Sequence, residues 1–205
     1  MRIAILVYGR LNKCVEHYDN TIETVGKHND IDFFLSSDNS PESLLNDFTR
    51  LYKPILYTNN PIKYDYDLSK YPGGHPATNI HNMTCHFINK NRVFLLLEEY
   101  INKTSIHYDV VISLRIDLVF QNSFDFNNLL DNTIYIPAGN DWLDGINDQL
   151  AYGKIDVMKK YNSINPVNLL EQKLTVPHPE SLNLANINFH KLEIKRVNLN
   201  HIIDR

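Results

Sequence analysis

The sequence predicts an α/β fold in which a mixed, mainly parallel sheet is flanked by helices within one domain. An apolar run, Ile3 to Tyr8, opens the chain and gives way to Gly9-Arg10, as a strand running into a tight turn would. Strand-like and helix-like patterns then alternate as far as Tyr57, the start of a doubly wound sheet. Further on, Val110-Val111-Ile112-Ser113-Leu114 is apolar or small throughout, which suits a central strand covered on both faces.

After the first strand, Lys13 to Val25 carries a helical pattern. Val15, Tyr18, Ile22 and Val25 are its apolar positions, and Gly26 suits its stop. Asp30 to Asp38 reads as a second strand ending in polar residues. Pro41 opens a helix reaching about Leu51, and Pro54 to Tyr57 reads as a third strand. Residues 58–76 form a long loop ending Tyr71-Pro72-Gly73-Gly74-His75-Pro76, of a length that often serves as a lid or binding loop. Ala77 to Tyr100 lacks Pro and Gly and predicts a long helix. Beyond the strand at 110–114, Phe124 to Leu130 reads as a short helix or turn and Thr133 to Pro137 as a strand. Gln149 to Gly153 reads as an edge strand or helix, Ile155 to Tyr161 and Pro166 to Leu174 as helices, and Asn188 to Val197 as a half-exposed strand.

The length suits one domain with a core that needs no staples, and no linker marks a second one. With 20 basic against 24 acidic residues the net charge is -4, and no basic run stands out, which argues against a nucleic-acid partner. No apolar run is long enough for a membrane span, and the N-terminus enters a strand rather than a signal peptide, so the expectation is a soluble, cytoplasmic protein. Cys14 and Cys85 lack CxxC spacing and read as buried thiols of a reducing compartment, with little to support a zinc site. The stop at Asp204-Arg205 is compatible with one domain cut from a longer polypeptide.

Two acidic stretches carry the chemistry. Arg115-Ile116-Asp117 follows the buried strand, where open α/β sheets bind ligands, so Asp117 stands where a metal or phosphate would sit. The loop Gly139-Asn140-Asp141-Trp142-Leu143-Asp144-Gly145-Ile146-Asn147-Asp148-Gln149 is the second. An ordinary strand end and a polar turn account for the same pattern.

The N-terminal strand running into Gly9-Arg10, the strand ending Arg115-Ile116-Asp117, and Asn147-Asp148-Gln149 before an apolar pair, Tyr152 and Gly153 resemble GT-A glycosyltransferases, whose fold is Rossmann-like. More narrowly, the chain is similar to the N-terminal glycosyltransferase domain of a chlorovirus enzyme that glycosylates the major capsid protein, and to bacterial surface-polysaccharide relatives. The resemblance implies a UDP-sugar donor, Mn2+ or Mg2+ on its diphosphate, and a glycan or glycoprotein acceptor. It also implies a nucleotide-sugar part at 1–120 and an acceptor-side part at 121–205. The family usually carries Asp-x-Asp at the strand end; here the first acid is replaced by Arg115 and the second, the metal ligand, is Asp117. Alternation puts both on one side, so Arg115 is placed to fork onto a diphosphate or to orient Asp117. A histidine near the C-terminus, His178 or His190, is implied as a further metal ligand.

Other candidates follow from position. Gly9 lets the backbone approach a nucleotide, with Arg10 on a phosphate. Ser37 and Asp38 end the second strand and suit uracil or ribose, or else a capping turn before Pro41. Asn79, His81 and Asn82, at the start of the long helix, suit donor contact, or else capping and solvation. Asp148 is the catalytic candidate: a general base in an inverting enzyme, or a group on the donor hydroxyls in a retaining one. Asp141 and Asp144 flank Trp142, which offers a sugar-stacking face on the acceptor side. A carbohydrate-binding module without turnover and a nucleotidyltransferase are the rival readings, although no Gly-rich phosphate loop followed by Lys is present.

Overall fold

The computed structural model describes residues 1–204. In chain order the elements are β1 (Arg2–Tyr8), α1 (Tyr18–Val25), β2 (Asp30–Ser36), α2 (Glu42–Tyr52), β3 (Leu56–Thr58), α3 (Ile80–Thr104), β4 (Val110–Leu114), β5 (Leu118–Phe120), β6 (Thr133–Pro137), β7 (Leu150–Gly153), α4 (Ile155–Asn162), α5 (Pro166–Glu171), α6 (Pro179–Phe189), β8 (Glu193–Val197) and β9 (His201–Ile203). Seven strands form one sheet in the order β3-β2-β1-β4-β7-β6-β8, and β5 pairs with β9 apart from it. Within the large sheet β7 alone runs against the others: its pairings with β4 and β6 are antiparallel, and all remaining pairings are parallel. This is the mixed, mainly parallel α/β arrangement that the sequence predicts.

Strand alternation divides the core into two layers. Ile3, Ile5, Val7, Phe33, Leu35 and Ile112 face one side, against Val25, Phe48 and Tyr52 of α1 and α2. Ala4, Leu6, Tyr8, Phe34 and Val111 face the other, against Val93, Phe94 and Leu97 of α3 and Met158 of α4. Because both faces are covered, β1 from Ile3 to Val7 and β4 have no room for an alternating polar residue, and their sequences show none there except Ser113. Its hydroxyl donates to Asn162 Oδ1 at 2.8 Å.

Several elements differ from the sequence expectation. The helix expected from Lys13 begins only at Tyr18; Lys13 has φ 64° and Val15 is exposed, while the buried His17 sits 2.9 Å from the Ile116 carbonyl through Nδ1. Gln149 to Gly153 contributes a central strand, fully buried between β4 and β6, instead of an edge. The segment 124–130, expected as a short helix or turn, takes the turn, at Asn127-Asn128. Helix α6 and strands β5 and β9 are unanticipated, and α6 takes in Asn188 and Phe189, which were expected to begin the last strand. The pattern of α6 is hidden because Asn183 and Asn186 are core residues. Asn183 Nδ2 donates to the Asn147 carbonyl at 3.0 Å, and Asn186 Nδ2 to that of Lys160 at 3.1 Å.

Candidate functional site

The sheet order reverses between β1 and β4: the chain winds outward through β2 and β3 on one side of β1, then returns to β4 on the other. A cleft of about 550 Å³ opens there at the carboxyl ends of the parallel strands. Tyr8, Gly9 and Arg10 reach it from the end of β1, Asp38 from the loop after β2, and Arg115 and Asp117 from the turn after β4. His81, Asn82, Cys85, His86 and Asn89 of α3 form the facing wall.

Gly9 has φ 96°, a left-handed conformation that favours glycine, and its N–H donates to the Ser36 carbonyl at 3.0 Å. Arg10 is thereby turned out into the cleft and remains exposed. Arg115 donates from Nε to Asp117 Oδ1 at 3.0 Å and from Nη2 to Asp117 Oδ2. The fork holds the carboxylate in one orientation, and the Arg115 N–H donates to the Gln149 carbonyl at 3.1 Å. Each Asp117 oxygen keeps a lone pair beyond the one Arg115 uses. The arrangement fits a hard cation that takes most of its shell from a diphosphate and water. It does not fit an all-protein cage: among the described residues no set of three convergent His, Cys, Asp or Glu donors includes Asp117.

Asp148 lies behind the wall. It is 5% exposed, is absent from the cleft lining, and has Oδ2 3.3 Å from His86 Nε2, which makes no hydrogen bond. The Tyr8 hydroxyl donates to the carbonyls of both Asp148 and Gln149, at 2.9 and 3.1 Å. Burial raises the Asp148 carboxyl, opposed by the charges of Lys90 and Arg115. Burial pushes the His86 imidazole well below its usual range, and those same cations add to the effect. Lys90 is fully buried, with Nζ 3.8 Å from the Tyr161 ring centre and donating to Asn183 Oδ1 at 3.3 Å. Burial lowers its ammonium to about 7 against the pull of Asp148. Glu180 is raised to about 7, first by burial and then by Asp148, and its Oε2 lies 3.1 Å from His178 Nδ1.

The acidic loop docks on the start of α6. Ile146 N–H donates to the Glu180 carbonyl at 3.1 Å and Ser181 Oγ to the Leu143 carbonyl at 2.9 Å. Gly145 permits this approach, since a Cβ there would lie 2.2 Å from the Glu180 carbonyl carbon.

The remaining expected residues are arranged as follows. Ser37 is buried, its hydroxyl bonded to that of Ser40. Asn79 caps α3, its Oδ1 accepting from Asn82 N–H at 2.9 Å, and does not line the cleft. Asp141 is paired with Arg196 at 3.0 Å and accepts from the Asn147 N–H at 2.8 Å. Trp142 is 65% exposed and Asp144 is exposed with φ 53°. None of these three lines the cleft, and neither do His178 and His190. Sequence reasoning passed over His86, Lys90, Glu180, Gln149 and His201 as site residues. His201 Nε2 is 3.1 Å from Gln149 Oε1, and burial lowers its imidazole. The buried polar face of α3, Thr84 to Lys90, was the available signal.

No protein-family model matches the chain, and no curated protein matches it. Among solved structures it is similar to an active-site mutant of LgtC, at 13% identity over 92% of this chain and 70% of that chain, with a TM-score of 0.49.

Proposed function

We propose that the chain is a glycosyltransferase that binds a UDP-sugar in the cleft and passes the sugar to a hydroxyl of a glycan or glycoprotein. The observation that carries this reading is the joint placement of Arg10, Arg115, Asp38 and Asp117 in one nucleotide-sized cleft at the strand-order reversal. Two of the motifs that resemble GT-A glycosyltransferases, Gly9-Arg10 and Arg115-Ile116-Asp117, follow the ends of β1 and β4 at this cleft, and the third, Asn147-Asp148-Gln149, leads into β7 behind it. The narrower likeness makes a capsid glycan the acceptor, with rhamnose, glucose or mannose as the sugar.

In this reading Arg10 and Arg115 hold the diphosphate, Asp38 faces the nucleoside, and Asp117 is the carboxylate that would hold Mg2+ or Mn2+. The ion, when bound, supplies Lewis-acid stabilisation of the leaving diphosphate. The acceptor oxygen bonds to the anomeric carbon as the carbon–oxygen bond to the diphosphate breaks, and the hydroxyl proton must be taken up. His86 is the neutral base in the cleft wall. Asp148, 3.3 Å behind it, compensates the imidazolium that forms. A sugar-binding domain without turnover is the second reading, favoured by the exposed Trp142.

Calorimetric titration of UDP and UDP-glucose, with and without Mn2+, tests the proposal on wild type and Asp117→Asn. Binding of UDP that Mn2+ strengthens, and that loses this metal dependence in Asp117→Asn, is expected. Absence of UDP binding under every condition overturns the reading in favour of the sugar-binding domain.

A further inference from the structure

We propose that Asp38, His81 and Cys85 form a binding site for a thiophilic divalent cation of the zinc class in the wall of the cleft, separate from Asp117. Their donor atoms lie within 4.8 Å of one another. His81 and Cys85 are four residues apart in α3 and so project from one face of the helix, with Sγ 3.6 Å from Nε2. Asp38 reaches them from the loop after β2. Its carboxylate is oriented through Oδ1, which accepts the Ile62 N–H at 2.8 Å. The sequence offers no CxxC and argued against zinc; the loop after β2 and the start of α3 together supply what spacing along the chain does not.

The arrangement around His81 matches what a metal ligand needs. The Tyr64 hydroxyl lies 2.8 Å from Nδ1. With Nδ1–H donating to that oxygen, the lone pair is on Nε2, the nitrogen nearer to Cys85 Sγ. Bond lengths of about 2.0 Å to nitrogen and oxygen and 2.3 Å to sulfur place tetrahedral ligands roughly 3.5 Å apart, so the His–Cys spacing already fits. His81 is exposed, and the three donor atoms converge to within 4.8 Å, so small side-chain adjustments would bring them to bonding distance of one ion. One carboxylate and one thiolate neutralise a divalent ion. As the metal–sulfur bond forms, the thiol proton passes to solvent. Sulfur and imidazole donors select Zn2+ over Mg2+. Three protein ligands leave a fourth position, facing the cleft, for water or an anionic oxygen of a bound ligand.

Co2+ serves as the spectroscopic probe. Titrating metal-stripped protein with Co2+ is expected to give a one-to-one thiolate-to-cobalt charge-transfer band, with visible bands of tetrahedral intensity, that Zn2+ removes and excess Mg2+ does not. Cys85→Ser should abolish the charge-transfer band. His81→Ala, a change at an exposed position, should weaken Co2+ binding at least about tenfold, and Tyr64→Phe by roughly tenfold. Cys14→Ser and Asp117→Asn should leave the spectrum intact. Absence of the band in folded wild type, or its persistence in Cys85→Ser, overturns the site. Neither result depends on UDP binding, so failure of this site and failure of the glycosyltransferase reading are distinguishable; Asp38 is common to both, and with the ion bound it serves as a metal ligand instead of facing the nucleoside.

Discussion

The guanidinium of Arg115 closes on both carboxylate oxygens of Asp117, two residues further along the same turn. The fork fixes the acid and brings a permanent cation to the cleft. Arg115→Ala is therefore expected to lower stability by about 1–3 kcal/mol, because it leaves a largely buried carboxylate unpaired. Arg115→Lys retains the charge but loses the paired geometry and should weaken UDP binding about tenfold. Chemical denaturation and calorimetry read the two effects.

Arg10 differs, being exposed at the turn after β1. Arg10→Ala should leave the thermal midpoint unchanged while weakening UDP binding by roughly 5- to 30-fold at low salt, as expected for a charged contact worth about 1–2 kcal/mol. The loss should shrink as salt screens the contact. Equal loss at high salt would point to a packing role.

Glu180 holds its proton up to about 7 in the folded chain, against an ordinary value of 4.5. Between those values the folded state binds more protons than the unfolded state. The contribution is therefore fully present below pH 4.5 and is lost as pH rises through 7. Glu180→Gln should remove this decline, gaining on the order of 1–3 kcal/mol over wild type at pH 8 and little at pH 4. Urea midpoints across that range give the comparison.

Lys90 shifts in the opposite sense. Its folded value is about 7 against an ordinary 10.5, so between them the unfolded chain binds more protons. Wild type should gain stability with rising pH from 7 to 9, by about 1 kcal/mol per pH unit relative to Lys90→Met. Parallel pH profiles for the two proteins would show that Lys90 is charged throughout.

Gly145 lies against backbone: a Cβ there would meet the Glu180 carbonyl carbon at 2.2 Å and the Ser181 nitrogen at 2.4 Å. Gly145→Ala should destabilise by more than about 2 kcal/mol and loosen the loop that carries Asp148. Hydrogen exchange at the Ile146 amide, which donates to Glu180, reports that loosening directly.

By itself the sequence determined the strands whose two faces are both covered. In β1 and β4 continuous apolar runs leave no other solution, and the turn at Gly9 and the acid at Asp117 follow from where those strands end. The place of β7 in the sheet was decided only by tertiary pairing, because four buried residues carry no readable period. The same holds for α6, whose Asn183 and Asn186 look exposed until their carbonyl partners are in place. The candidate site divides along the same line. Gly9, Arg10, Asp38, Arg115 and Asp117 were legible because strand ends in an open sheet converge on one edge. The pairing of His86 with Asp148, and the meeting of Asp38 with His81 and Cys85, depend on α3 crossing that edge, and no spacing along the chain encodes such a crossing.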